Sequence, residues 1–321
     1  MTYIIEEILD TTKYVVDNAK HVSINEHKLN DFSKGFKPHQ VDHWISAAPY
    51  NLNGLNPEQR FNFLLLLNSI NFSYWGEPKW SIQYNNQYFD GAFGMIAALG
   101  KAVDARIPVL DFSYLAKMKE AEFSSILEGN TQIPLFGERL TIVRSLGEIV
   151  SKKFQNNATV LLKEAQGDTG ELLEVLISHF PFFQDTEMYN GRKVHFYKRA
   201  QLFIGDVYQA FSEEKWGRLK NIHTLTACAD YKIPQVLRQL GILEYSEELT
   251  KKVDAKIQLP KGSPEEVEIR AHTIWAVEKI RQALKKKMDI DAIQVDHYLW
   301  LLGQDKKGLT RPYHRTRTTA Y

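Results

Sequence analysis

The chain has 321 residues, enough for one large domain or two modest ones with a substantial core. Its 40 Lys and Arg against 39 Asp and Glu leave a formal net charge of +1. So small a field argues against a dedicated binder of long duplex DNA or RNA, and no stable nucleic-acid partner is expected. The single cysteine, Cys228, excludes an intrachain disulfide and any Cys-cluster metal site.

The N-terminal MTYIIEEILDTTKY carries acids where a signal peptide has a basic region. Apolar runs such as Phe63 to Leu67 are too short to span a bilayer. A cytoplasmic protein without membrane contact is expected. With 17 Phe, 15 Tyr and 6 Trp, the rings suit either an aromatic core or the walls of a pocket for a flat ligand.

In chain order, Ile4 to Ala19 reads as a helix, with Asn25 and Asp31 near later caps or turns. Residues 35–56 read as irregular, holding Pro38, Pro49 and Gly54 around the pair His43-Trp44. Pro57 fits the first position of a helix capped by Asn56. KWSIQYNNQYFDG alternates Trp80, Ile82 and Tyr84 before Asn85-Asn86, which suggests one short β-hairpin. Helices follow over Gly91 to Ala105, Asp111 to Leu127, Arg139 to Phe154, Thr159 to Ala165 and Thr169 to Ser178. A proline-aromatic loop, HFPFFQDTEMYNGRKVHFY, separates these from a helix over Lys198 to Phe211. Short helical stretches follow over Gln235 to Leu240, about 265–287, and Ile290 to Leu302, before the basic tail RPYHRTRTTAY. The pattern predicts a mainly α, compact fold: one domain over 1–321, or two closely apposed helical lobes.

No P-loop, GxGxxG, GxSxG or HExxH motif is present, so no cofactor and no metal is expected. Three segments carry possible chemistry. In residues 194–208, Lys198 and Arg199 open an apolar helix, where cations oppose the helix dipole and call for a nearby acid or anion, or are simply a solvated pair. In LTACADYKIPQV, Asp230 interrupts an apolar stretch ahead of a helix, either as a cap or as a partly buried functional carboxylate. In DAIQVDHYLWLLG, Asp296 lies one turn from Trp300, where a carboxylate and an indole can hold a heterocycle, or can simply be core and ion pair. The tail's His314, Arg315 and Arg317 form either an anion patch or a solvated basic end.

Taken together, NFSYW (71–75), FYKRAQ (196–201), ADYKIPQVL (229–237), VEIRA (267–271), DHYLW (296–300) and the terminal HRTRTTAY closely resemble the queuosine salvage protein family. They are ordered over nearly the whole chain. The resemblance implies a helical fold similar to helix-hairpin-helix DNA glycosylases. It also implies hydrolysis of the N-glycosidic bond of queuosine 5′-monophosphate, releasing queuine for return to tRNA.

The family's catalytic aspartate falls on Asp230, and its base-binding elements fall on Cys228 and on the Asp296 to Trp300 turn. Some members have Phe where this chain has Cys228. An N-terminal contribution falls around His43 and Trp44. On this reading Lys198 keeps Asp230 ionised or approaches the leaving group. The 5′-phosphate meets some of Arg199, His314, Arg315, Arg317 and Tyr231, with Arg315 first among them. The rival readings are a DNA-glycosylase-like enzyme and a non-catalytic binder of a modified nucleotide. A monomer is expected.

Overall fold

A computed structural model of the chain describes residues 3–36, 43–212, 214–304 and 308–321. Pro38 lies outside the described residues. Helix α1, Tyr3–Asp17, leads to strand β1, Val22–Ile24, and helix α2, Glu26–Gly35, whose first turn is capped by Asn25 accepting from Lys28 N. Residues 43–56 contain two 3₁₀ turns, Trp44–Ala47 and Leu52–Gly54. Helix α3, Pro57–Ser69, starts as the sequence predicts, with a reciprocal capping box between Asn56 and Gln59.

Strands β2, Ser81–Tyr84, and β3, Gln87–Asp90, form the predicted hairpin, with Asn85 and Asn86 both at positive φ. Helix α4, Gly91–Asp104, follows it directly. The single helix expected over Asp111 to Leu127 is instead two: α5, Phe112–Leu115, and α6, Glu120–Ile126. Arg144 explains the break, because its Nε donates to Met118 O at 2.8 Å and so occupies a carbonyl that a continuous helix would use itself. Helices α7, Phe136–Lys153, α8, Val160–Glu164, and α9, Thr169–His179, come next.

The segment expected as a loop before Lys198 holds a second hairpin, β4, Thr186–Tyr189, with β5, Arg192–His195. Its turn is Asn190-Gly191, both at positive φ, the conformation that a two-residue hairpin connection requires. Helix α10, Lys198–Ala210, then runs into the interior. Helix α11, Lys232–Gln239, starts three residues earlier than expected, with Pro234 inside its first turn, where no N–H partner is needed. Strand β6, Leu243–Tyr245, pairs antiparallel with β1, and α12, Glu247–Asp254, follows. Helices α13, Pro264–Lys285, and α14, Ala292–Leu302, close the order. The described chain is thus mainly α, with three two-stranded antiparallel pairs rather than one hairpin.

Helix α13 organises the packing. It touches α1, α2, α11 and α14, and its first half is buried on every side. Three charged residues therefore sit in the interior, each with dedicated partners. Glu268 accepts from the backbone N–H groups of Lys20, His21 and Val22 and from Tyr189 Oη. Glu266 accepts from Tyr321 Oη at 2.7 Å, and Arg270 forks onto Asp185. Among the described residues, no helix is long and apolar enough to cross a membrane.

Helices α5 and α7 cross where Gly147 faces backbone. A Cβ there would come within 2.2 Å of Ala116 N and 2.6 Å of Phe112 O. Gly147→Ala is therefore expected to cost about 1–3 kcal/mol in denaturant unfolding, and a neutral change would refute this close approach.

Candidate active site

The start of α10, the stretch 228–232, one face of α14, the β3–α4 junction and the stretch 71–74 converge on a cleft. Asp230 sits where the chain turns into α11. Its Oδ1 accepts the N–H of Lys232 at 2.7 Å and of Ile233 at 2.9 Å, so the carboxylate caps the helix and also faces the cleft. Of the two readings left open for this residue, the cap is realised, and the carboxylate is also buried. Burial pushes its pKa up, while the Lys198 ammonium and the two N–H groups pull it back.

Asp296 projects from α14, and its Oδ1 accepts the Cys228 N–H at 2.8 Å. Burial, and then the charge of Asp230, hold this carboxyl well above the usual range. The Cys228 thiol is pushed well up by burial first, which makes it a small wall residue rather than a nucleophile. Lys198 opens α10, lines the cleft, and has no ion pair within 4.0 Å among the described residues.

The opposite wall is aromatic. Trp300 packs edge-on against Trp44 and Phe93, each at 5.3 Å between centroids, and Trp44 lies at 6.2 Å from Phe93 and nearly parallel to it. Tyr74, Tyr231 and Tyr321 add further rings. Behind this wall a buried carboxylate anchors Trp44. Asp206 Oδ1 accepts from Trp44 Nε1 and Oδ2 accepts from Asn68 Nδ2, both at 2.8 Å.

His43, Asp206 and His297 bring one donor atom each to within 4.8 Å of one another, which is the composition of a cation site. His43 Nδ1 accepts the Ile45 N–H, and its Nε2 lies 3.2 Å from Asp206 Oδ1. Neither that Nε2 nor His297 Nε2 has a hydrogen-bond partner among the described residues.

The cleft thus gathers Asp230, Lys198, Trp44, Cys228, Tyr231, Asp296 and Trp300. His43 lies behind it, its ring 4.5 Å from that of His297. Arg199, His314, Arg315 and Arg317 are not among its lining residues. Arg199 donates to Ser69 O and Phe182 O, and burial lowers its pKa to about 9. His314 is buried beside Tyr321 Oη at 3.2 Å, Arg315 pairs with Glu77, and Arg317 lies over the Trp75 ring. The cations that do line the cleft are Lys79, Lys198 and Lys232. Phe93 lies outside the motif stretches, whereas Lys79 opens KWSIQYNNQYFDG and Lys232 lies within ADYKIPQVL without having been singled out there. Asp206 did carry a signal: an acid inside the apolar run LFIGDVY.

A buried carboxylate pair, one buried ammonium and an aromatic wall in a single cleft suit a cationic transition state beside a flat base. The model of the queuosine salvage protein family matches residues 52–321. The chain belongs to that family. It is 38% identical over 323 residues to the queuosine 5′-phosphate N-glycosylase/hydrolase of Sphaerobacter thermophilus, covering 98% of this chain and 97% of that one. The proteins of the same name from Bos taurus and Schizosaccharomyces pombe are 30% and 29% identical. They cover 97% and 93% of this chain, and 98% and 91% of their own lengths.

The raised pKa of Asp296 has a consequence for stability. The folded protein holds this proton to higher pH than the unfolded chain does. Its contribution is therefore fully present below the ordinary carboxylate pKa and is lost as pH rises toward the folded value. Asp296→Asn removes that loss and keeps an acceptor for Cys228 N–H. Its stability relative to wild type is expected to improve as pH rises above the ordinary carboxylate pKa of about 4. A difference independent of pH would contradict the perturbed carboxylate.

Proposed function

We propose that the protein hydrolyses the N-glycosidic bond of queuosine 5′-monophosphate, releasing queuine and ribose 5-phosphate. The observation that carries the reading is Asp230: a buried carboxylate with one oxygen fixed by two N–H groups, facing the cleft beside Lys198. As the C1′–N bond lengthens, positive charge grows on the ribose, and a fixed anion in a desolvated site stabilises it strongly. Water supplies the hydroxyl that joins C1′, and its proton ends on the departing base. A 7-deazapurine has no N7 to protonate, so the pull on the leaving group is weak and the burden falls on the sugar side. Lys198 keeps Asp230 ionised despite its burial.

The base lies against Trp300, Trp44 and Phe93, with Asp296 at its polar edge and the small Cys228 beside it. For the 5′-phosphate, the cleft's own cations are better supported than Arg315, because they line the cleft and Arg315 does not. Lys232, two residues beyond Asp230 at the start of α11, is the first choice. Action on a mononucleotide in the cytoplasm, by a monomer, suits the +1 charge better than action on an intact nucleic acid.

Asp230→Asn is expected to leave a folded protein whose queuine release from queuosine 5′-monophosphate falls by about 10²- to 10³-fold or more. Release at near the wild-type rate would remove Asp230 from the chemistry. A wild-type protein that binds the nucleotide and never releases base would instead favour the non-catalytic reading. Lys232→Met is expected to penalise kcat/KM for the nucleotide about tenfold or more beyond its effect on the nucleoside queuosine. Equal losses for the two substrates would sink the phosphate role.

A further inference from the structure

Arg270 does not line the cleft and touches no group assigned to the substrate, yet its guanidinium binds the two segments that deliver the cleft's opposed charges. It is fully buried on α13. Nη1 and Nη2 donate to Asp185 Oδ1 and Oδ2 at 2.8 and 2.6 Å, and Nε donates to Ala229 O at 3.2 Å.

Each of those partners is one step from the cleft. Ala229 immediately precedes Asp230. Asp185 Oδ2 also accepts the N–H of Lys198 at 3.1 Å, and its carbonyl accepts the N–H groups of Phe196 and Tyr197. It therefore holds the chain where Tyr197, at φ +49°, turns it into α10. The guanidinium carbon further lies 3.9 Å from the Phe196 ring centre and 4.5 Å from that of Tyr321, a cleft wall.

We propose that Arg270 is a positioning residue, which through Asp185 and Ala229 sets the separation between the Lys198 ammonium and the Asp230 carboxylate. This rests on the roles given to those two residues above. A buried guanidinium is costly to desolvate, and apolar side chains could have filled the same volume. What it adds is a planar fork that fixes two backbone segments at once, which a lysine's single ammonium cannot reproduce. If the two segments drift, Asp230 loses the cation that holds it ionised and shifts away from the reacting carbon.

The test compares Arg270→Lys and Asp185→Asn with wild type and with Lys198→Met, following queuine release from queuosine 5′-monophosphate. For folded Arg270→Lys, kcat is expected to fall about 10²-fold. KM should stay within about threefold. The acidic limb of its pH–kcat profile should move to higher pH, as in Lys198→Met, because Asp230 is then less well held in its ionised form. Asp185→Asn should move that limb in the same direction.

A folded variant with a wild-type kcat and limb would overturn the proposal. So would a lowered kcat with an unmoved limb, since that is only a loss of active molecules. If neither variant folds, Arg270 is a structural prop and the proposal fails. A wild type that releases no queuine would instead overturn the hydrolase reading itself.

Discussion

The cleft depends on how one carboxylate is held. Asp230 Oδ1 takes the first two N–H groups of α11, so the side chain cannot rotate away, and Lys198 supplies the compensating charge inside a desolvated wall. Taken singly, neither feature is unusual. A capping aspartate is common at a helix start, and a buried lysine is merely costly. Together they give a rigid, poorly solvated carboxylate with a cation to offset its burial, which on the proposed reading is the condition for stabilising a cationic sugar without reorganisation.

The rest of the chain serves to keep that arrangement dry and in register. Behind Asp230 and Lys198, α13 carries interior charges that each have partners, and its Arg270 links the loops before Asp230 and before Lys198. Behind the aromatic side, Asp206 performs the corresponding task for Trp44 by accepting its indole N–H while Asn68 steadies the other oxygen. Asp296 is bound to the Cys228 N–H, so α14 and the stretch that leads to Asp230 are parts of one hydrogen-bonded unit. The two carboxylates also interact, which raises the pKa of Asp296 beyond what burial alone would do.

What could be read from the sequence, and what could not, follows from the range of each signal. The capping box at Asn56 and the turn at Asn85-Asn86 are local, and both are realised as expected. The hairpin at Asn190-Gly191 had an equally local signal, masked by the dense aromatics and Pro181 before it. The β1–β6 pair joins residues 22–24 to 243–245, and nothing near either strand announces the other. The split between α5 and α6 depends on Arg144, far along the chain.

In the cleft, Asp230 and Asp296 stood out because an acid in an apolar stretch needs a reason. The arginines misled because neighbouring residues on a helix point about 100° apart. Lys198 faces the cleft, while Arg199 turns to the carbonyls of Ser69 and Phe182. The basic tail is likewise occupied, with Arg315 on Glu77 and Arg317 on Trp75.

The most direct test of the account is the pH dependence of queuine release from queuosine 5′-monophosphate, measured for wild type and for Lys198→Met. The account predicts turnover by the wild type, with an acidic limb above the ordinary carboxylate pKa of about 4. That limb should move higher still when the ammonium is removed. Absence of base release, or a limb at the ordinary carboxylate value that Lys198→Met leaves in place, would contradict it.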